Sequence, residues 1–317
     1  MTRDKIFKNM ILAGGPPRGG TTLLAKILNS HPNISVAMDN MVMENWGLYY
    51  FKTRVGLINQ LREEKVNPEE ARFFIERHLI KDNNFKGLAP SDKLNNYPLA
   101  PPPERPDLDK APNDIHIKRH LVPLELVGEE FVLCLKSPEI SFVLPQLSKV
   151  FTDARFILTF RPAIEIAESM FRKGYEWGNS YHRRWIHELD PNGEPEAPPG
   201  VPEEWFGLWK KVSDFKKCVI YATSYLRAIG EGLAYLDENK AMLYDHLELC
   251  RYPDKVLNQI SHFLHVSDEG FSNIKTEISD SKPKISLELQ SEYDEIAEEL
   301  RIKQVMDKLG EFTSRVT

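Results

Sequence analysis

The chain has 317 residues, 41% of them hydrophobic, enough to bury a sizeable core in one large α/β domain or two smaller ones. A formal net charge of -6 excludes a broad basic surface of the kind that tracks a nucleic-acid backbone, so any cationic site must be local. No run approaches the roughly 18 consecutive apolar residues of a membrane-spanning helix, and the N-terminal "MTRDKIFKNMILAGG" has too short an apolar run for a secretory signal.

Residues 6–12 read as a buried strand, and residues 21–29 as a helix with Leu23, Leu24, Ile27 and Leu28 on its inward face. Between them lies "GGPPRGGTT", residues 14–22, and strand, glycine loop, helix is the order used by phosphate-binding α/β folds. Residues 54–82 look helical and charged, whereas 98–113, "PLAPPPERPDLDKAPN", are too proline-rich for a helix or sheet interior. "FVLCLK" (131–136) and "RFILTF" (155–160) are two further short strands; Pro162 then suits the first turn of a helix that runs to about Arg172. A second proline-rich loop covers 190–202, a long helical pattern 205–237, and another strand 240–244. Alternating strands and helices predict an α/β fold with a parallel sheet covered on both faces, interrupted by helical and proline-rich insertions. Cys134, Cys218 and Cys250 are odd in number, far apart and inside regular elements, which predicts reduced, buried thiols and a cytoplasmic setting.

The loop at 14–22 aims backbone N–H groups and a helix N-terminus at one spot, a ready site for phosphate or sulfate. An ATP-binding loop would read G-x-x-x-x-G-K-[ST]; from Gly14 this chain has Gly20 where the lysine should stand, with its positive charge at Arg18 instead. "PPRGGTTLLAKILNSHP" resembles the P-R-S-G-T-T-L-L…H-P motif of sulfotransferases that use 3′-phosphoadenosine 5′-phosphosulfate (PAPS). The resemblance implies a P-loop NTPase-like fold in which Pro17, Arg18, Gly19, Gly20, Thr21 and Thr22 hold the 5′-phosphosulfate, Arg18 touching the transferring group and the two threonines the 5′-phosphate. Gly19 departs from the family's usual serine, which removes one hydroxyl and leaves the backbone cradle.

"ARFILTFRPAIEIAESMFRKG" resembles the family's second signature, in which a strand-end arginine and a serine eight residues on, here Arg161 and Ser169, grip the 3′-phosphate. "LKSP" (135–138) resembles the lysine-x-proline element between the signatures, and "MLYDHLELCRYPDKVLNQISHFLHV" the C-terminal strand and helix. In all, the similarity touches residues 6–40, 131–175 and 205–267 of what reads as a single domain over 1–317, with 41–130 and 176–204 as acceptor-binding or flap insertions.

Sulfuryl transfer needs an acceptor in line with the departing phosphate, a base for its proton and positive groups on the leaving side. One branch of the family uses a histidine where this chain has Pro138. Another, including the tyrosylprotein sulfotransferases, uses a glutamate that falls on Asp39, one methylene shorter, with Glu44 as rival base and a helix N-cap as the alternative employment of Asp39. Lys136, after a strand, is expected to add a polar contact; His116 and His120 read as solvated. Trp46 and Tyr50, beside Tyr49 and Phe51, and Tyr175 and Trp177 suit an acyl, aryl or glycan acceptor, small or carrier-bound. Lys284, with Lys282, is the resemblance's basic flap over the nucleotide. No metal is demanded, no nucleic acid is expected as partner, and homodimerisation is left open. The rival readings are a nucleoside-triphosphate kinase and a nucleotide-binding relative without catalysis.

Overall fold

The computed structural model describes residues 7, 9–38, 61, 64, 66–81, 84–88, 119–123, 131–174, 197, 198, 200–278 and 285–315. Five strands form one parallel sheet in the order β2–β6–β1–β7–β8: β1 is Ile11–Gly14, β2 Ile34–Met38, β6 Val132–Lys136, β7 Arg155–Phe160 and β8 Ala241–Asp245. Between β2 and β6 in sequence, β3 (Ile80–Lys81), β4 (Asn84–Leu88) and β5 (Arg119–Pro123) make a small antiparallel sheet that takes in His120.

Alternation along the parallel strands explains why both faces are covered. Leu12, Leu133, Leu135, Phe156 and Leu158 belong to one buried cluster, Ile11, Ala13, Cys134, Ile157 and Met242 to the other. The first face is closed by α3 (Leu144–Val150), α4 (Ala163–Arg172) and α5 (Asp214–Leu233), the second by α1 (Thr21–Ser30) and α7 (Pro253–Leu264). The chain also forms α2 (Pro68–Leu79), α6 (His246–Arg251) and two C-terminal helices, α8 (Leu287–Ala297) and α9 (Ile302–Arg315). Among the described residues no helix is long and apolar enough to cross a membrane.

Three boundaries differ from the periodicity. The first strand starts at Ile11 instead of residue 6: Phe7 and Met10 are buried in the core, and the ladder opens where the Met10 carbonyl accepts from the Arg155 amide. The helical pattern at 205–237 breaks into a single turn, Phe206–Trp209, and α5, because the Ser213 hydroxyl caps a new start by accepting from the Lys216 amide. Pro162 is the N-cap of α4 and not its first turn, with ψ at 134°. Of the cysteines, Cys134 and Cys218 are buried free thiols as expected; Cys250 is only partly buried, its Sγ 3.7 Å from His246 Nε2. Burial pushes the Cys134 thiol up, so it stays protonated.

Candidate active site

The site gathers at the carboxyl ends of the parallel strands, the edge where open α/β sheets bind ligands. Register aligns those ends: Ala13 and Met38 both pair with Lys136, Gly14 with Leu158, and Phe160 with Asp245. The loop after β1 is tied from two neighbours. Its Gly15 amide donates to Ser141 Oγ at 3.1 Å, from the turn Pro138–Phe142 after β6, and its Gly19 carbonyl accepts from Thr159 Oγ1 of β7 at 3.1 Å. Within the loop, the Gly19 amide closes on the Pro16 carbonyl at 2.9 Å. That closure favours glycine: a Cβ at Gly19 would stand 2.9 Å from the Pro16 oxygen.

Three residues of the loop have positive φ, Gly15 at 139°, Arg18 at 64° and Gly20 at 99°. The strain at Arg18 belongs to a residue whose side chain stands exposed at the mouth of the loop. Gly20 is the N-cap of α1, which has no side-chain cap and no acid in its first turn. The first intrahelical bond runs from the Leu24 amide to the Gly20 carbonyl, so the amides of Thr21, Thr22 and Leu23 have no acceptor within the helix. An uncapped helix end beside an exposed arginine fits an anionic phosphosulfate. Thr22 is exposed there, whereas Thr21 is 4% exposed and packs against Gly15.

The slot of the ATP-loop lysine is filled. A Cβ on Gly20 would come within 2.3 Å of His246 Nδ1, on the helix that follows β8, so no larger residue enters without moving that imidazole.

The second corner is the β7–α4 junction. Arg161 donates from Nε and Nη2 to Glu165 Oε2, at 3.2 and 2.8 Å, and both side chains are mostly buried. Two turns into α4, Ser169 Oγ accepts from Arg18 Nε at 3.2 Å. The two signatures therefore meet in one cleft. Across it, Asp245 at the end of β8 caps α6 by accepting from the Leu247 amide at 2.8 Å. Burial holds its carboxyl above the ordinary value, the Leu247 amide opposes that rise, and the charges of Glu248 and Glu165 add to it.

Lys136 is 4% exposed, a floor position beside β1 and β2. Next to it, buried Glu139 accepts from Ser137 Oγ and, at 3.4 Å, from Tyr225 Oη, which lies 3.1 Å from Tyr221 Oη. A separate cavity of about 340 Å³ lies on the other side of Ser141, bounded by Gln146, Ser224, Arg227, Glu231 and Tyr235. The Arg227 guanidinium there is held by Glu204 and Glu231 at 2.6 and 2.7 Å. Asp39, Glu44, Trp46, Tyr50, Tyr175, Trp177 and Lys284 lie outside the described residues; Met38, the residue before Asp39, ends β2.

Sequence reasoning did not find Ser141, Thr159, Glu165 or His246. Glu165 carried a signal, four residues after Arg161 on a helix; the other three are brought in by the sheet order alone.

A family model described as the sulfotransferase family matches residues 11–193, more than half of the chain and spanning both signatures. The chain belongs to the sulfotransferase family. Among curated proteins, this chain is 22% identical over 191 residues to a Caenorhabditis briggsae protein named "Putative protein-tyrosine sulfotransferase", covering 58% of this chain and 52% of that one. It thus spans about half the length of that relative. Among solved structures, a sulfotransferase from Alicyclobacillus acidocaldarius superposes with a TM-score of 0.50 at 11% identity, over 96% of each chain, a likeness of fold alone. The parallel sheet flanked by helices is the fold these comparisons share.

Proposed function

We propose that this chain transfers the sulfuryl group of PAPS to an acceptor hydroxyl, with an amine as the alternative acceptor, by in-line displacement, releasing adenosine 3′,5′-bisphosphate (PAP). The observation that carries the reading is the hydrogen bond from Arg18 Nε to Ser169 Oγ: a 5′-phosphosulfate corner and a 3′-phosphate corner lie within reach of a single nucleotide. PAPS supplies an activated sulfuryl group on a good leaving phosphate. The protein's part is to bind and to stabilise charge. Amides of residues 20–23 and Thr22 hold the 5′ end, with Pro17 and Gly19 shaping the loop and Thr21 supporting from below; Arg18 faces the leaving oxygens, and Arg161 with Ser169 takes the 3′-phosphate.

On this reading the acceptor oxygen bonds to sulfur as the bond from sulfur to the 5′-phosphate oxygen breaks, and the acceptor's proton passes to Asp39, with Glu44 as the alternative base. Asp39 directly follows the strand whose last residue, Met38, pairs with Lys136 at the cleft edge, which supports the assignment. Trp46, Tyr50, Tyr175, Trp177 and Lys136 line the acceptor side, Lys284 closes over the nucleotide, and no metal takes part. The acceptor is a small molecule, a glycan or a carrier-bound group; a tyrosyl hydroxyl, named for the Caenorhabditis briggsae relative, belongs to the same chemistry. Residues 1–317 form one catalytic domain, with 41–130 and 176–204 serving the acceptor and flap, working in the cytoplasm.

The kinase alternative has its lysine slot closed by His246. A thermal-shift comparison tests the choice. PAP should raise the melting temperature well above any shift from ATP with Mg²⁺. Equal shifts, or a larger one with ATP, would defeat the proposal.

A further inference from the structure

We infer that Glu165 is a positioning residue for the 3′-phosphate: it grips one edge of the Arg161 guanidinium and so presents the opposite edge to the nucleotide. The inference rests on the PAPS reading above. Arg161 is 11% and Glu165 13% exposed, so neither side chain is a solvated surface charge. Two donors of the fork, Nε and Nη2, converge on one oxygen, Oε2, at 3.2 and 2.8 Å. This fixes the plane of the guanidinium, and the edge formed by Nη1 and the second Nη2 hydrogen is the pair that matches two phosphate oxygens.

The location of Glu165 suits the task. It stands in the first turn of α4, where the helix end favours a carboxylate, and its own amide is tied to the Pro162 carbonyl at 3.0 Å. Ser169 lies one turn further along the same helix and contacts Arg18. Helix α4 therefore sets arginine plane and serine hydroxyl together.

Simple electrostatics makes the opposite prediction. An acid beside a phosphate site repels the ligand, so if Glu165 merely competed with the 3′-phosphate for Arg161, removing it would tighten binding. Positioning and competition thus differ in sign. Glutamine separates geometry from charge, since its carbonyl oxygen can accept both Arg161 hydrogens while carrying no net charge.

The test is calorimetric titration of the full chain, and of its Glu165→Ala, Glu165→Gln and Arg161→Ala variants, with PAP and with adenosine 5′-monophosphate, which lacks the 3′-phosphate. Positioning predicts that Glu165→Ala weakens PAP by about tenfold, the scale of one charge-assisted hydrogen bond, with the monophosphate little changed. Glu165→Gln should restore the PAP affinity. Unchanged or tighter PAP binding in Glu165→Ala overturns the inference, as does equal weakening of both nucleotides, or a glutamine variant as weak as the alanine one. In those cases a selective loss of PAP in Arg161→Ala leaves the PAPS reading standing. An unmodified chain that does not distinguish PAP from the monophosphate takes down that reading and this inference together.

Discussion

The two corners of the cleft grip by different means. At residues 14–22 the groups that the proposed function assigns to binding are mostly main chain, shaped by glycines and by Arg18 at positive φ, and fixed by the Ser141 and Thr159 hydroxyls. At the β7–α4 junction they are side chains on regular elements, with Arg161 balanced by Glu165 and a second acid, Asp245, close enough to feel it. A backbone site carries its specificity in conformation, and a residue with the wrong φ or an extra methyl removes it. A side-chain site carries it in charge, so it tolerates reshaping and responds to pH. The first corner should therefore break by steric change and the second by electrostatic change.

The largest effect is expected where the first corner contributes a charge after all. Arg18 is exposed at the mouth of the loop and donates to Ser169, and the proposed reaction assigns it to negative charge on the leaving oxygens. Arg18→Ala should lower the turnover of PAPS to PAP with acceptor by about 100- to 1,000-fold, the loss seen when one preorganised donor to developing charge is removed. PAP affinity should fall much less. A variant that loses binding and turnover in equal proportion would place Arg18 in ground-state binding and erase its distinction from Arg161.

Next comes the steric test. Gly20 sits at φ 99°, and a Cβ there meets His246 Nδ1 at 2.3 Å. Gly20→Ala should cost about 1–3 kcal/mol for the left-handed backbone alone, with the displaced imidazole adding to it. A melt without ligand reads this directly, and PAP should no longer raise the transition. If the variant melts like the parent and still binds PAP, the loop is softer than its ties imply and the contrast between the corners fails.

This contrast also governs what the sequence makes legible. The glycine loop is visible because positive φ at Gly15 and Gly20 and close approach at Gly14 and Gly19 favour glycine and cluster, and the strands at 132–136, 155–160 and 241–245 are visible because both faces of the sheet are apolar. Arg161 and Ser169 are recognisable only as a pair at helical spacing. The hydroxyls that hold the loop are not legible: Ser141 lies 126 positions from Gly15 and Thr159 lies 140 from Gly19, and only the order β6–β1–β7 makes them neighbours. His246 is hidden for the same reason, since β8 reaches the loop through β7. The small antiparallel sheet escapes periodicity because its strands are two to five residues long and belong to a charged segment.

The smallest effect tests the electrostatic corner through Asp245. Burial raises its carboxyl above the ordinary value near 3.8, with the Glu165 and Glu248 charges pushing the same way against the Leu247 amide. The folded state therefore binds this proton more tightly than the unfolded chain does. Its contribution to stability is complete below the ordinary aspartate pKa and is lost as pH rises through the folded value, so at neutral pH the ionised carboxylate is a cost. Asp245→Asn removes the charge while keeping an oxygen for the Leu247 amide, asparagine being as good an N-cap as aspartate. The variant should melt slightly above the parent at pH 7, and the gap should narrow as pH is lowered toward 4. A gap that widens on acidification would mean that the carboxylate is held by the helix end more strongly than burial opposes it. The β8 end would then bind like the glycine loop, through backbone amides, and the division between the corners would lie between Arg161 and Asp245 instead of between the two signatures.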